Sequence, residues 1–281
     1  MKPSHRKCAL TLMMLVAVVA CDRESSTAAP ERTATSPAAA QPAASVELVD
    51  VMETTPDYVI GISYPQSAAR YPALAAEIKR YAEAARADLM RAVEARRHQQ
   101  PTGEGSEGST MYDLSLTFTE VFDSPDLVAY AADGSSYTGG AHGNPLLARF
   151  VWLPREDRRL TAEALVPQVA GWQAIANHVR EQLYTALSQR IEADDLVPAE
   201  RAEVVEGASR MIEEGTAADP ENYSEFEPVV GPGGRVTGLR FVFAPYQVGP
   251  YSDGTQTVEV PASVLLPHVA PQYRDLFARG L

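Results

Sequence analysis

Two apolar periodicities alternate along this chain of 281 residues, and together they restrict it to a fold that combines helices with sheets. In two segments, apolar residues recur at three- and four-residue spacing, which is typical of one buried helix face. The first stripe is Leu74, Ile78, Tyr81, Ala85, Leu89 and Val93, and the second is Trp172, Ile175, Val179, Leu183 and Leu187. Elsewhere the period is two, as in Leu114, Leu116 and Phe118, which predicts half-buried strands.

The order of these segments predicts an α+β fold. Strand-like runs lie at 46–53, 58–65, 112–118, 126–133, 145–154 and 239–243, and another begins at Val258. An acidic segment over 194–227 contains a helical stretch near 199–212, and residues 263–277 read as a closing short helix. We expect two linked units, each a small, mainly antiparallel sheet with a helix packed on one face. One continuous sheet is the alternative.

The N-terminus has the three regions of a bacterial lipoprotein signal. Basic residues precede an apolar run over 9–20 that is too short to span a bilayer, and the run ends in Val-Val-Ala before Cys21. We predict a signal peptide over 1–20 and a lipidated Cys21, with an ordinary signal peptide as the alternative. Residues 21–45, rich in Ala, Pro, Ser and Thr, read as a disordered tether.

This N-terminus predicts a location in the cell envelope, facing the periplasm or the exterior and held to a membrane through the lipid. Asp22 directly follows Cys21, which hints at the inner membrane. The formal net charge is −13, and removal of the signal would take away three further cations. Such a charge argues against binding nucleic acid, which requires a basic surface, and it favours a basic partner.

The sequence gives little support for a known catalytic or cofactor-binding motif. The Gly-x-Gly-x-x-Gly pattern at 103–108 follows a helix and precedes a strand, the reverse of a dinucleotide-binding loop, so we predict a plain loop. Histidines are dispersed, the two cysteines are Cys8 and Cys21, and no zinc-site spacing occurs. We therefore expect no metal site, no cofactor and no enzymatic activity.

The run Ser135–Pro145, SSYTGGAHGNP, has a distinctive composition. Gly139 and Gly140 can adopt positive φ and form a bulge or tight corner in a sheet. Three interpretations of His142 stay open at this stage: a structural kink, part of a binding surface, or a catalytic residue. Catalysis would need an orienting acid and a nucleophile, and the sequence names neither.

A second distinctive run, APYQVGPYSDGTQTVEVP, begins at Ala244. Tyr246 and Tyr251 flank Gly249-Pro250, and Asp253-Gly254 predicts a turn before the strand at Val258. A proline-fixed loop that displays tyrosines suits protein recognition, because tyrosine offers a large contact area at low entropic cost. Packing of these tyrosines within their own hairpin is the alternative.

Taken together, YTGGAHG and PYQVGPYSDG…VEVP resemble the RsiV-type extracytoplasmic domain. The segment VIGISYPQSAARYPALAAEIKRYAE resembles the companion module found on the N-terminal side of PdaC-type polysaccharide deacetylases. The resemblance implies a PdaC-type module over 46–145 and an RsiV-like domain over 146–281. The metal-binding catalytic half of the deacetylases has no counterpart, and neither does the cytosolic sigma-binding segment of RsiV-type regulators.

The resemblance implies a binding function, because RsiV-type ectodomains bind C-type lysozyme. We expect a lipid-anchored envelope protein that binds or inhibits a lysozyme-like muramidase, or that senses cell-wall stress by binding a cell-wall component. A cell-wall glycan hydrolase or deacetylase-related enzyme, and a structural envelope lipoprotein, are the alternatives. The predicted binding residues are Tyr137, Gly139, Gly140, His142, Tyr246, Pro250 and Tyr251.

Overall fold

Strands and helices alternate in the computed structural model, which describes residues 46–99, 111–194 and 196–278. The predicted signal peptide, Cys21, the tether and the glycine-rich loop at 103–108 lie outside the described residues. Two sheets form, of six and three strands, and each has helices packed against it. The prediction of an α+β fold is therefore confirmed, and the alternative of one continuous sheet is wrong.

The first sheet has its strands in chain order. They are β1 (Val51–Thr54), β2 (Tyr58–Ser63), β3 (Tyr112–Asp123), β4 (Val128–Tyr137), β5 (Asn144–Leu153) and β6 (Arg158–Arg159). Helix α1 (Pro72–Gln99) follows a 3-10 turn at Gln66–Arg70 and connects β2 to β3. These two strands run parallel, which requires such a crossover, and the other pairs are antiparallel.

Helix α1 covers one face of this sheet with the predicted stripe. Leu74, Ile78, Leu89 and Val93 are fully buried, whereas Tyr81 is half-buried at the side. Their partners are the alternate residues of β3, which the period of two had identified. Proline at the first position suits a helix start, because the nitrogen there has no intrahelical partner.

The second half of the chain surrounds a three-stranded antiparallel sheet. Its elements are α2 (Ala162–Leu165), α3 (Val169–Ala193), α4 (Pro198–Gly215), a 3-10 turn (Pro220–Tyr223), β7 (Phe226–Val230), β8 (Val236–Phe243), β9 (Gln256–Pro261) and α5 (Ala262–Leu265). The predicted stripe of α3 is buried against this sheet.

The sequence patterns missed β6 and β7, placed the start of β1 too early and predicted a single helix for the closing segment. Strand β7 begins at the end of the acidic segment, where Glu227 points inward and breaks the apolar alternation. Strand β1 begins at Val51 rather than Val46. The closing segment is split between α5 and a 3-10 turn at Pro271–Leu276.

Strands β4 and β5 are buried on both faces at their ends far from the turn that connects them. On β5, Phe150 and Trp152 face α1, whereas Val151 and Leu153 join the core of the second half. This double burial explains why β5 reads as a continuous apolar run rather than an alternation. The second half therefore packs against the face of the first sheet that α1 leaves open.

Arg149 lies at the centre of this contact and is only 8 % exposed. Its Nε is 3.0 Å from Oε2 of Glu227 on β7, and an Nη donates to Asp133 on β4 at 3.0 Å. The guanidinium also donates to the carbonyl of Ala148 at 3.1 Å. Glu227 in turn accepts from Arg240 on β8 at 2.9 Å. The buried cation thus has partners on both sheets.

Side chains from both halves also satisfy the backbone of Arg149. Its N–H donates to the carboxylate of Glu225, and its carbonyl accepts from the guanidinium of Arg159. Strand β6 pairs only with the last two residues of β5, so the rest of that edge of β5 has no neighbouring strand. The side chains of Glu225 and Arg159 cover this edge at Arg149. Covering a free edge prevents unpaired backbone groups from recruiting another strand.

The domain boundary predicted after residue 145 falls within β5. Strand β5 begins at Asn144 and belongs to the first sheet, which continues to Arg159. The division into two domains at that residue stays a prediction.

We expect Arg149→Met to destabilise the protein by about 3 kcal/mol, because the buried Glu227 would lose one of its two cationic partners and keep only Arg240. The control is Arg155→Met, which removes an ion pair with Asp126 whose side chains are 73 % and 54 % exposed. That change should cost less than about 1 kcal/mol. Urea unfolding measures both, and the double variant Arg149→Met/Glu227→Leu should recover part of the loss. Equal losses for Arg149→Met and Arg155→Met would contradict the role of the buried pair.

The carboxyl of Glu225 should make stability depend on pH. Burial raises its pKa above the ordinary 4.5, although the Arg149 N–H and the charges of Arg159 and Arg149 oppose this shift. The native state therefore holds the proton to a higher pH than the unfolded chain, so this group lowers stability as pH rises from about 4.5 through the raised pKa. Glu225→Gln keeps an acceptor oxygen and should flatten that dependence in urea titrations from pH 4.5 to 8. Identical slopes for both proteins would rule this contribution out.

Candidate functional site

The motif around His142 forms the turn between β4 and β5. Strand β4 ends at Tyr137 and β5 begins at Asn144, so Thr138–Gly143 is the connecting loop. Gly139 and Gly140 have φ values of 99° and 102°, which side chains rarely allow. The Tyr137 hydroxyl donates to the Gly140 carbonyl at 3.0 Å and closes the turn. The glycines thus make a hairpin turn rather than a bulge within a strand.

The second motif forms the loop between β8 and β9. Tyr246 has a φ of 73° and its N–H donates to the Gly249 carbonyl at 3.0 Å, which makes a tight turn. Pro250 precedes a short 3-10 turn over Tyr251–Asp253, and Gly254 ends that turn with a φ of 67°. Positive φ at a tyrosine costs energy that the rest of the structure must offset.

Contacts with α3, α4 and the 3-10 turn that follows α4 fix this loop. Gln247 donates to the carbonyls of Gly215 at 3.2 Å and Asn222 at 2.9 Å. Asp253 forms an ion pair with Arg190 near the C-terminus of α3. A methyl group on Gly215 would lie 1.9 Å from the Gln247 carbonyl oxygen, so only glycine lets the loop approach α4 this closely. The Tyr246–Tyr251 segment is therefore held in place.

The two loops meet at His142. Its imidazole stacks on the ring of Tyr251 with centroids 3.8 Å apart and an interplanar angle of 16°. Its Nε2 lies 2.9 Å from the hydroxyl of Tyr246, and its Nδ1 lies 3.1 Å from the Gly143 carbonyl. A carbonyl only accepts, so we assign the proton to Nδ1, with Nε2 accepting from the tyrosine.

We call His142, Tyr246 and Tyr251 the aromatic surface. His142 is exposed, Tyr251 is half-buried, and 56 % of Tyr246 is exposed. The ring centroids of the two tyrosines are 5.7 Å apart. Three rings and a hydroxyl group are thus presented together at the surface, which is an arrangement suited to apolar and hydrogen-bonding contact.

The structure brings only part of the predicted set into direct contact. Tyr137, Gly139 and Gly140 support the hairpin turn that carries His142, and Pro250 begins the turn that carries Tyr251. Cys21 lies outside the described residues. Sequence reasoning missed Arg190 of α3, which pairs with Asp253 of the second loop, and Gln247 of the loop itself, which bonds the carbonyls of Gly215 and Asn222. Their partners are distant in the chain, so no local pattern marks them.

The described residues offer neither a metal cluster nor a membrane-spanning helix. In the ranges 46–99, 111–194 and 196–278, no group of three or more His, Cys, Asp or Glu side chains is placed to hold a metal ion. Over the same ranges, no helix combines the length and apolarity needed to cross a membrane.

Family models match both parts of the chain. Residues 52–145 match the model described as "Deacetylase PdaC", and residues 166–263 match "Protein of unknown function (DUF3298)". The chain therefore carries a PdaC domain and a DUF3298 domain. The aromatic surface joins them, because His142 lies in the PdaC match and both tyrosines lie in the DUF3298 match. These two domains indicate an extracytoplasmic, envelope-associated protein.

Solved structures of DUF3298 proteins are similar to this chain. One from Bacteroides fragilis NCTC 9343 is 15 % identical, with a TM-score of 0.45, over 80 % of this chain and 93 % of that one. Another, from Pseudomonas aeruginosa PAO1, is 14 % identical, with a TM-score of 0.48, over 83 % and 96 % respectively. A search of curated proteins found no match.

We expect Gly140→Ala to destabilise the protein by about 1 kcal/mol, because alanine at positive φ is strained. Gly143→Ala is a matched control in the same loop, since its φ is not positive and the added methyl would meet its nearest atom at 3.5 Å. Chemical denaturation compares the two variants. A loss for Gly143→Ala as large as that for Gly140→Ala would show that any added methyl disturbs the loop.

Proposed function

We propose that this protein is a lipid-anchored envelope protein that binds another macromolecule through the aromatic surface. The observation that carries the proposal is the convergence of two loops, one from each domain, on a single exposed group of rings. Tyrosine is enriched among the residues that dominate binding energy at protein interfaces.

Preorganisation supports a binding role. The hairpin turn is closed by Tyr137, and the second loop is tied to α3 and α4 through Asp253 and Gln247. Loops that are already ordered lose little further conformational entropy when a partner binds. Nδ1 of His142 bonds a backbone carbonyl, whereas the histidine of a Ser-His-Asp triad is oriented by a carboxylate, and this favours a contact role.

The partner we favour is a lysozyme-like muramidase. C-type lysozymes are basic, and a chain of net charge −13 would attract such a partner over long range. The resemblance of YTGGAHG and PYQVGPYSDG to the lysozyme-binding RsiV-type domain supports the same choice. The acyl group on Cys21 and the tether that follows would hold the binding domains within reach of the cell wall.

An enzyme acting on cell-wall glycan is the second candidate. The family model that residues 52–145 match is named for a deacetylase, and this favours an activity on an acetylated polysaccharide. Release of acetate or of reducing sugar from peptidoglycan, measured with the same protein, tests this candidate separately from binding.

Calorimetric titration of the full chain with a C-type lysozyme should give a dissociation constant of about 1 µM or tighter. Tyr251→Ala should weaken binding by at least about 1 kcal/mol, because it removes the ring that stacks on His142. The control is Tyr71→Ala. Tyr71 lies at the opposite end of β3 from the hairpin turn that carries His142. Its hydroxyl bonds Asp123, the last residue of β3, whereas Tyr112, the first residue of that strand, lies near Gly139 of the turn.

Binding that falls with Tyr251→Ala and persists with Tyr71→Ala supports the proposal. No heat and no inhibition of muramidase activity, with folded protein, would remove lysozyme as the partner. Binding that is equally weakened by both variants would place the contact away from the aromatic surface.

A further inference from the structure

A cavity of about 310 Å³ lies between α3, α4 and the loop that follows β8. Leu183 and Leu187 of α3, Ile212 of α4, and Val248 of the loop form its apolar wall. Small-molecule sites typically occupy about 300–1,000 Å³ and combine apolar walls with a few polar groups. This cavity is at the lower end of that range, which suits a ligand with a single small apolar group.

The polar groups of the cavity are concentrated on one side. Arg190 and Asp253 form an ion pair there, and Ser252 and Gln256 line the same cavity. The Arg190 and Asp253 side chains remain 37 % and 16 % exposed, so water and solutes reach the pair. A guanidinium has five N–H donors, and a carboxylate has about four acceptor positions, so neither group is saturated by one mutual contact.

The two opposite charges restrict the ligand's head group. A ligand with only a carboxylate would gain from Arg190 but would be repelled by Asp253, and a ligand with only an ammonium would meet the reverse. A head group that carries both charges can pair with both residues at once. The combination of a small apolar wall and a paired cation and anion therefore fits a free α-amino acid with an apolar side chain.

We propose that this cavity binds a zwitterionic α-amino acid of leucine-like size. The ligand carboxylate pairs with Arg190, its ammonium pairs with Asp253, and its side chain contacts Leu183, Leu187 and Ile212. This site is separate from the aromatic surface, and it does not depend on the identity of the macromolecular partner. Asp253 follows Tyr251 by two residues, so an occupied cavity would also restrain the loop that carries Tyr251.

The test compares three probes against the full chain by saturation-transfer NMR titration. Leucine carries both charges, 4-methylpentanoate carries only the carboxylate, and isopentylamine carries only the ammonium. We expect leucine to bind about tenfold or more tightly than either singly charged probe, because each of those leaves one member of the pair unmatched. No leucine signal at saturating concentration, or equal affinity for all three probes, would overturn the proposal.

Filling the cavity gives a second measurement. Ala186 lines the cavity from an exposed position on α3, so Ala186→Phe should abolish leucine binding without unfolding the protein. The matched control is Ala202→Phe at an exposed position of α4 outside the cavity lining, which should leave binding unchanged. Leucine binding that survives Ala186→Phe would place the amino acid elsewhere.

Changing the charge tests the assignment of the head group. Asp253→Asn removes the anion that repels a lone carboxylate, so the preference should move towards 4-methylpentanoate and away from leucine. A merely structural role of Asp253 would weaken all three probes alike, and that outcome would contradict the proposed pairing. Lysozyme titration of Ala186→Phe then separates this site from the aromatic surface, because that variant leaves all three rings of the surface intact.

Discussion

The ion pairs of the buried Arg149 join the two halves of this protein, and the rest of the structure depends on that junction. A guanidinium is expensive to bury, and it is tolerated here because Glu227, Asp133 and a backbone carbonyl all accept from it or lie against it. The same residue has its backbone held by Glu225 and Arg159. One residue of β5 thus fixes both the position of the second sheet and the protection of an open strand edge.

Docking of the second half at this point places the two distinctive loops side by side. The hairpin turn of β4 and β5 lies beyond the doubly buried part of these two strands, and the loop after β8 extends from the second sheet. Once the sheets are fixed, His142 stacks on Tyr251 and bonds Tyr246. The second loop is held from its other side by α3 and α4, where the Arg190–Asp253 pair also borders the proposed amino-acid cavity. The aromatic surface and the cavity are therefore two sides of one anchored loop.

Local patterns predicted most of the helices and strands because apolar side chains mark their buried positions, on one face of the two long helices and of β3 and on both faces of β5. The stripe beginning at Leu74 and the alternation from Leu114 to Phe118 both survive in the structure with the expected side chains inside. Prediction failed where a strand departs from that rule. Strand β7 contains Glu227, which is buried because Arg149 and Arg240 reach it, and a buried acid gives no strand signal. The glycines before His142 were predicted to form a bulge or a tight corner, and they lie in the hairpin turn between β4 and β5.

The sequence by itself determined the fold class, the identity of the two helical stripes and the presence of two unusual loops. Periodicity and turn chemistry act over a few residues, so they can be read without knowing what is distant in the chain. Only the tertiary structure decided that the two loops touch, that Arg190 and Gln247 hold the second one, and that the second half packs on the first sheet around Arg149. Each of these depends on side chains separated by many residues, and their pairing becomes visible only when burial forces opposite charges and aromatic rings to satisfy one another.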